Sequence, residues 1–144
     1  MQQNEWISGT VHATFDKEFD PVYLPFLVYS PDKTRYVDFD SYQWTLIDGE
    51  PQFEADQEVN LVDLKNKTVQ RIAFRGPSAV IEDVYWQNDS VVVLLENFDS
   101  VPLIHKINLN NRSETTYTGT VKVKAKSAYF TNRLHDKLTT RMTN

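Results

Sequence analysis

Acidic and aromatic side chains alternate along one short stretch, and they are the strongest candidates for chemistry in this chain. The stretch reads "TRYVDFDSYQWTLI" over residues 34–47. In an extended strand every second side chain points to the same face. The residues predicted to share one face are Tyr36, Asp38, Asp40, Tyr42 and Trp44. Rings beside carboxylates can stack a sugar or hold a basic peptide, which predicts a binding surface. The alternative is a strand buried on both faces, with its rings in the core.

More acidic residues follow on the next stretch, and they raise two further hypotheses. Asp48, Glu50, Glu54, Asp56 and Glu58 lie between residues 48 and 58. Together with Asp38 and Asp40, these carboxylates are candidate ligands for Ca²⁺, and a pair of them on the acidic strand is a candidate to hydrolyse a glycosidic bond. The stretch lacks the Asp-x-Asp-x-Asp-Gly spacing of a calcium loop, and a solvated acidic face explains it equally well. We therefore predict no metal ligand, no cofactor and no catalytic residue.

The remaining candidates for catalysis are scattered. His12, His105 and His135 have no i, i+4 partner of the kind that binds zinc on a helix. None of the four glycines flanks a serine as Gly-x-Ser-x-Gly, which would mark a serine nucleophile. Without cysteine the chain has neither disulfides nor thiolate chemistry. A non-enzymatic protein is the prediction, and a carboxylate-based hydrolase is the alternative.

The composition is that of one soluble domain. The 144 residues are 40% hydrophobic and 24% charged, with a net charge of −5. Residues 121–144 hold six basic residues against one acidic residue, a net +5, so the rest of the chain carries −10. The basic segment has no dense Lys/Arg run, so nucleic acid is not a predicted partner. No apolar run reaches the length of a transmembrane segment.

Period-two patterning predicts an all-β domain with a helix at its end. The predicted strands are 6–15, 22–29, 34–47, 58–64, 68–74, 79–86, 90–97, 102–109, 113–119 and 120–125, and turn residues separate them. From Ser127, apolar residues recur every four positions as Phe130, Leu134, Leu138 and Met142. This pattern predicts an amphipathic helix that packs on the sheet.

The predicted strands fall into two similar sets. "VYSPDKTRYVDF" aligns with "VYWQNDSVVVLL" 56 residues later, and "VNLVDLKNKTVQ" aligns with "LIHKINLNNRSE" 44 residues later. A longer loop, "TLIDGEPQFEADQ", accounts for the difference of 12 residues. We predict one domain over 1–144, with a first four-stranded meander at about 22–75 and a second at about 79–119. A strand and helix at 120–144 complete it.

The same residues resemble a known family. "SPDKTRYVDF" is similar to the SPDG turn and strand in the blades of TolB-type β-propellers, and "EVNLVDLKNKTVQRI" is similar to the hairpin that follows in those blades. Lys33 stands where that pattern has glycine, and the second unit lacks Ser-Pro. The resemblance implies a binding platform without catalytic chemistry. Propellers use four or more blades, so two units must cover their faces by packing on each other, on the helix or on another chain.

A second layout suits the same strands. About ten strands followed by a helix also resemble a lipocalin-like up-and-down barrel, and "EWISGT" resembles the Gly-x-Trp start of that family with the order reversed. Such a barrel would carry a small apolar ligand.

Taken together, these patterns predict a binding or interaction module whose partner is a protein or a carbohydrate. Oligomerisation through open sheet edges is a further expectation. The start, "MQQNEW", lacks the basic and apolar regions of a secretory signal. Either a cytoplasmic protein or an exported one whose leader has been removed fits. We expect the exported form, periplasmic or attached to the bacterial surface as a lipoprotein.

Overall fold

The computed structural model describes residues 2–3, 5–118, 133 and 137–138. Most of these residues lie in antiparallel strands, which confirms the predicted all-β class. The strands are β1 (Gln2–Gln3), β2 (Ile7–Ser8), β3 (Val28–Tyr29), β4 (Arg35–Asp38), β5 (Trp44–Ile47), β6 (Glu50–Phe53), β7 (Gln57–Asp63), β8 (Thr68–Arg75), β9 (Ala79–Asn88), β10 (Val91–Phe98), β11 (Val101–Asn108) and β12 (Ser113–Thr118).

The strands form two five-stranded sheets and one hairpin. The first sheet has the order β2-β8-β7-β4-β3, and the second has the order β1-β12-β11-β10-β9. Among the described strands, β5 and β6 pair only with each other, and they lie between β4 and β7 in the chain. The two short strands near the N-terminus thus extend different sheets, since β1 pairs with β12 and β2 pairs with β8.

One core lies between the two sheets. Strands β4, β7 and β8 contribute Val37, Val59, Leu61, Ile72 and Ala73, and strands β9, β10 and β11 contribute Ile81, Val84, Val92, Leu94 and Ile107. Residues at alternate positions, such as Val59 and Leu61 or Val92 and Leu94, supply much of this contact because side chains on a strand alternate between its faces. The apolar face of each sheet is thereby removed from water.

The predicted strand at 22–29 is wrong over most of its length. Residues Pro21–Phe26 form a 3₁₀ helix, and only β3 remains as a strand. Asp20 caps this helix by accepting a hydrogen bond from the N–H of Val22 at 2.9 Å. Pro21 suits the first turn because its missing N–H would have no partner there, and Pro25 cannot donate to a strand ladder.

Two other predicted strands are shorter than expected. Of residues 6–15 only β2 is extended, and the predicted strand at 34–47 is split into β4 and β5 by a turn. The long loop that we expected after it is the hairpin β5–β6 instead. Its turn at Asp48 and Gly49 has φ values of 53° and 80°, a pairing typical of two-residue hairpin turns.

The barrel alternative is wrong, because neither sheet closes on itself in the described part of the chain. The predicted strand at 120–125 and most of the predicted helix lie outside the described residues. Arg133, Lys137 and Leu138 are described, and their backbone is helical. Among the described residues, no helix has the length and apolar character needed to cross a bilayer.

Candidate functional site

The predicted acidic and aromatic face does not form an open surface. Strand β4 ends at Asp38, so the alternation predicted for residues 36–44 does not continue beyond Asp38. Tyr36, Asp38, Asp40 and Trp44 are all buried, and only Tyr42 is partly exposed. Val37 and Phe39 are buried as well. The strand is therefore buried on both faces, which is the alternative to an open binding surface. A binding role for the five residues stays a prediction.

Asp38 shapes the turn that ends β4. Its Oδ1 accepts hydrogen bonds from the N–H of Asp40 at 3.0 Å and of Ser41 at 2.9 Å, and its Oδ2 accepts one from the Ser41 hydroxyl. Burial raises the pKa of Asp38, and these hydrogen bonds oppose the shift. Short polar side chains commonly bond to the backbone that follows them in this way. The carboxylate is thus used by the fold.

Asp40 lies in a buried polar contact with the C-terminal segment. Its Oδ1 accepts hydrogen bonds from Trp44 Nε1 at 2.9 Å and from Arg133 Nη2 at 2.8 Å. The guanidinium of Arg133 lies 4.5 Å from the ring centroid of Phe39 and 5.4 Å from that of Phe26. Burial raises the pKa of Asp40 to about 6, although Arg133 acts in the opposite direction. The second oxygen, Oδ2, has no hydrogen bond to a described residue.

The raised pKa of Asp40 predicts a specific pH dependence. The folded protein keeps a proton on Asp40 up to about pH 6, whereas the unfolded chain loses it near pH 4. The contribution of Asp40 to stability therefore falls as pH rises from 4 to 6 and returns on acidification. We expect native protein to gain about 1 kcal/mol in free energy of unfolding relative to Asp40→Asn between pH 7 and pH 5. Urea unfolding of both proteins at several pH values measures this difference, and parallel pH curves would contradict the assignment.

The two predicted tyrosines lie apart. The Tyr36 hydroxyl accepts a hydrogen bond from the N–H of Thr14 at 3.1 Å, and its ring packs 5.3 Å from Tyr29. The Tyr42 ring lies 6.0 Å from Phe74, edge to face. Only Tyr42 therefore reaches a surface where a ligand could contact it.

Tyr42 lines a surface cleft of about 350 Å³. The cleft lies between the segment of residues 10–20 and the turn before β5, and Thr45 extends its wall toward the hairpin. Three rings line it, from Phe19, Tyr23 and Tyr42, together with the carboxylates of Glu18 and Asp20. None of the described residues that line it is Lys or Arg. His12 also lines it and forms an ion pair with Asp16 at 2.9 Å.

A buried ionic cluster connects the two sheets, and the sequence did not reveal it. Glu96 on β10 accepts a hydrogen bond from Arg75 on β8, and its Oε1 lies 3.2 Å from His105 Nε2 on β11. His105 Nδ1 lies 2.9 Å from the hydroxyl of Thr116. Burial raises the pKa of Glu96, but the hydrogen bonds from His105 and Arg75 outweigh it and lower the pKa overall. The apolar run before Glu96 indicated that this strand is buried, but the partners of Glu96 are distant in sequence and could not be predicted.

The third histidine, His135, lies outside the described residues.

A second buried network centres on Glu58. It accepts hydrogen bonds from the N–H and hydroxyl of Thr10, from Asn60 and from Arg71. Gly9 approaches this network so closely that a Cβ there would lie 2.0 Å from Asn60 Oδ1. The network holds the segment after β2 on the first sheet, which indicates a structural role for Glu58.

The hairpin β5–β6 exposes large apolar side chains that the sequence pattern had placed in a loop. Leu46, Ile47 and Phe53 are 37%, 57% and 49% exposed. Leu46 pairs with Pro51 and Trp44 pairs with Phe53, so these four residues share one face of the hairpin. Neither strand makes more than slight contact with any other strand in the described part of the chain. Within the described part of the chain, the hairpin therefore stands apart from the other strands.

The base of the hairpin is held firmly in the core. Trp44 is fully buried, and its ring lies 4.9 Å from Tyr23 and 5.1 Å from Phe26. The Tyr23 hydroxyl donates to the Trp44 carbonyl. The N–H of Glu54 donates to the carbonyl of Gln43 at 2.6 Å, which closes the stem. A projecting apolar tip on an anchored stem is an arrangement that suits binding without a large loss of conformational entropy.

No metal centre is formed by the described residues, among which no three His, Asp or Glu side chains converge as ligands would. Comparison with family models, curated proteins and solved structures finds no match for this chain.

Proposed function

We propose that the chain is a non-enzymatic interaction module that binds a partner protein through the hairpin β5–β6. The observation that carries this proposal is the exposure of Leu46, Ile47 and Phe53 on an anchored hairpin that stands apart from the other described strands. Single exposed apolar residues are ordinary on protein surfaces, whereas a group of them on one element is typical of an interaction site. Among the described strands, β5 and β6 each pair on one side only, and a partner strand can add to a strand at its unpaired side.

We further propose that the module consists of two blade-like units, as the resemblance to TolB-type blades implies. Two turns support this proposal. Asp63 Oδ1 accepts from the N–H groups of residues 65 and 66, and Asn108 Oδ1 accepts from those of residues 110 and 111. The leucine after each one donates its N–H to the end of an earlier hairpin, Leu64 to Thr34 at 3.0 Å and Leu109 to Ser90 at 2.8 Å.

The proposed repeat indicates that the hairpin β5–β6 is an insertion in the first unit. In the first unit β5 and β6 stand between β4 and β7, whereas β10 and β11 in the second unit are joined directly by a short turn. The hairpin is therefore an addition to the basic unit. Additions of this kind to a regular scaffold commonly carry function.

Two other predictions have less support. An apolar-ligand carrier depended on a closed barrel, which the sheets of the described residues do not form. A carboxylate-based hydrolase depended on accessible acids at Asp38 and Asp40, and both are buried. An exported location and a carbohydrate partner stay predictions from the sequence, and no described contact adds to them.

The proposal is tested by removing the apolar tip. The variant Leu46→Ser, Ile47→Ser, Phe53→Ser is expected to fold with near-native stability, because these side chains are already exposed. We expect it to lose a partner that the native protein captures from extracts of the source cells. The partner is identified by mass spectrometry, and its affinity is then measured with purified proteins by calorimetry.

A matched control uses apolar residues elsewhere on the surface. Leu24 and Phe98 are 50% and 49% exposed and lie outside the hairpin. Leu24→Ser, Phe98→Ser should keep the native affinity for the same partner. Equal affinity of the native protein and the hairpin variant would show that the hairpin is not the binding site.

A further inference from the structure

The ion pair of Arg75 and Glu96 joins the two sheets at a buried point. Arg75 ends β8 in the first sheet, and Glu96 lies on β10 in the second. The Nε of Arg75 donates a hydrogen bond to Glu96 Oε1, and the Glu96 side chain is only 3% exposed. Separating such a pair is costly because it leaves a buried charge without its partner. A second partner for the carboxylate would therefore lower the cost of opening this contact between the sheets.

His105 is a second partner for the same oxygen. Its Nε2 lies 3.2 Å from Glu96 Oε1, the atom that also accepts the hydrogen bond from Arg75. A neutral imidazole brings no charge to this oxygen, so the guanidinium alone balances the carboxylate. A protonated imidazole would place two cations against one anion. Because the two cations repel each other, one of them is favoured to leave.

The surroundings decide which cation leaves. The His105 side chain is 7% exposed, and its Nδ1 lies 2.9 Å from the Thr116 hydroxyl. A hydroxyl can donate to a neutral ring and accept from a protonated one, so this contact suits both charge states. The Arg75 side chain is 20% exposed, and it lines a cleft of about 270 Å³ together with Glu5 and Glu114. Arg75 can therefore turn to water and to other carboxylates, whereas the partners of His105 are fixed in the second sheet.

The charged groups around His105 come from three strands. Glu96 on β10 and Arg75 on β8 form its ionic cluster. On β12 Thr116 stands opposite His105, and Glu114 lies on the same face because side chains two residues apart share a face. Burial raises the pKa of Glu96, but the hydrogen bonds from His105 and Arg75 lower it overall, so this carboxylate stays ionised near neutral pH. Histidine is thus the member of this cluster whose charge changes between about pH 8 and pH 5.

We propose that Arg75, Glu96 and His105 form a pH-sensitive latch between the two sheets. At neutral pH Glu96 binds Arg75 and ties β8 to β10. When His105 takes up a proton from solvent, Glu96 pairs with it inside the second sheet, and Arg75 turns out toward the cleft. The tie between the sheets is then open, although each sheet keeps its own strands. The latch does not involve the hairpin β5–β6, so its failure would leave the proposed function untouched.

The first test compares the two buried arginine–glutamate pairs of β8. Arg75→Gln should lower the urea midpoint at pH 5.5 by about half as much as at pH 7.5, or less, because the native pair is already opening in acid. Arg71→Gln is the matched control, since Arg71 binds the buried Glu58, whose described partners include no histidine. Its loss should be the same at both pH values. An Arg75→Gln loss that does not change with pH, or that changes equally in the control, would overturn the inference.

A histidine variant connects this difference to the latch. His105→Gln keeps a hydrogen-bonding side chain at the position but cannot take up a proton. In that background Arg75→Gln should cost the same at both pH values. A pH-dependent cost that survives without His105 would mean that another group titrates, and the latch would be overturned.

The second test follows the native protein itself and does not depend on a variant that folds. NMR spectra from pH 7.5 to pH 5.5 record the Nε–H resonance of Arg75 and the ring resonances of His105. We expect both to shift with one midpoint, and the protection of the Arg75 Nε–H from exchange with water to fall in acid. An Arg75 signal that stays unchanged while His105 titrates would show that both cations share the carboxylate. That result, or a His105 ring that does not titrate in this range, would contradict the latch.

Discussion

Replacing Glu58 by glutamine is expected to lower the free energy of unfolding by about 3 kcal/mol. Glu58 is fully buried, and it accepts hydrogen bonds from Arg71 Nε at 2.8 Å and from Arg71 Nη2 at 2.5 Å. The glutamine amide group would place N–H donors against the donors of Arg71 and Thr10. Removing one partner of a buried pair typically costs about 3–5 kcal/mol. We expect the lower end of that range because the Arg71 side chain is 24% exposed and can turn toward water.

The pH dependence of this variant supplies a second measurement. Burial raises the pKa of Glu58, but the hydrogen bonds from Thr10, Asn60 and Arg71 lower it overall. A carboxylate with a lowered folded pKa stabilises the protein above its unfolded pKa, and that contribution is lost as pH falls through the folded pKa. The difference between native protein and Glu58→Gln should therefore be full at pH 7 and shrink below about pH 4.

The appropriate control is an exposed glutamate in the same part of the molecule. Glu5 is exposed and precedes β2, which the Glu58 network helps to hold. Glu5→Gln should change the urea midpoint very little. A Glu58→Gln midpoint as close to native as that of Glu5→Gln would show that the network does not stabilise the fold.

The sequence predicted strands β9 to β12 of the second sheet well, because the signals for them are local. Strands β9 to β12 begin and end within about two residues of the predicted bounds. Period-two alternation sets each strand, and Asn108 sets the turn after β11 by bonding to the two N–H groups that follow. None of these features depends on a residue far away in the chain.

The first sheet was predicted less well because local signals competed there. The apolar run of residues 22–29 has the composition of a strand, yet Asp20 and Pro21 begin a 3₁₀ helix within it. Asp38 was placed on a continuing strand face, whereas its side chain captures the backbone of the next turn. In both places a capping aspartate decided the structure against the hydrophobic pattern.

The buried acids could not be predicted, since their partners are distant in sequence. Thr10 lies 48 residues from Glu58, and Arg133 lies 93 residues from Asp40. Acidic side chains are usually solvated, so a solvated face was the natural interpretation of this stretch. Only tertiary contacts separate the buried members, such as Asp40 and Glu58, from the exposed members on the hairpin.

The acidic stretch thus has buried members and exposed members, and the stem of the hairpin lies between them. Trp44 lies between the buried and the exposed acidic residues. Its ring is in the core, and β5, which it begins, leads to the exposed tip. It connects the buried acids with the hairpin, because its Nε1 donates to Asp40 while its backbone pairs with Phe53. If the hairpin is the binding element, its orientation depends on this one side chain.

Replacing Trp44 by alanine is accordingly expected to lower the free energy of unfolding by about 3–5 kcal/mol, the usual range for removing a large buried ring. The change also leaves Asp40 with one hydrogen bond fewer in a buried site. Trp44→Phe retains most of the packing against Tyr23 and Phe26 and loses only the N–H donor, so its loss should be about 1–2 kcal/mol. Urea unfolding measures both variants.

The same variants should release the hairpin locally. Glu54 makes the hairpin a substrate for a glutamate-specific protease, whose cleavage rate reports opening of this element. We expect Trp44→Phe to raise cleavage after Glu54. Trp86→Phe should not, because Trp86 donates its N–H to Val28 on the first sheet and makes no described contact with the hairpin. Cleavage that rises equally in the two variants would mean that Trp44 stabilises the whole domain without fixing the hairpin in particular.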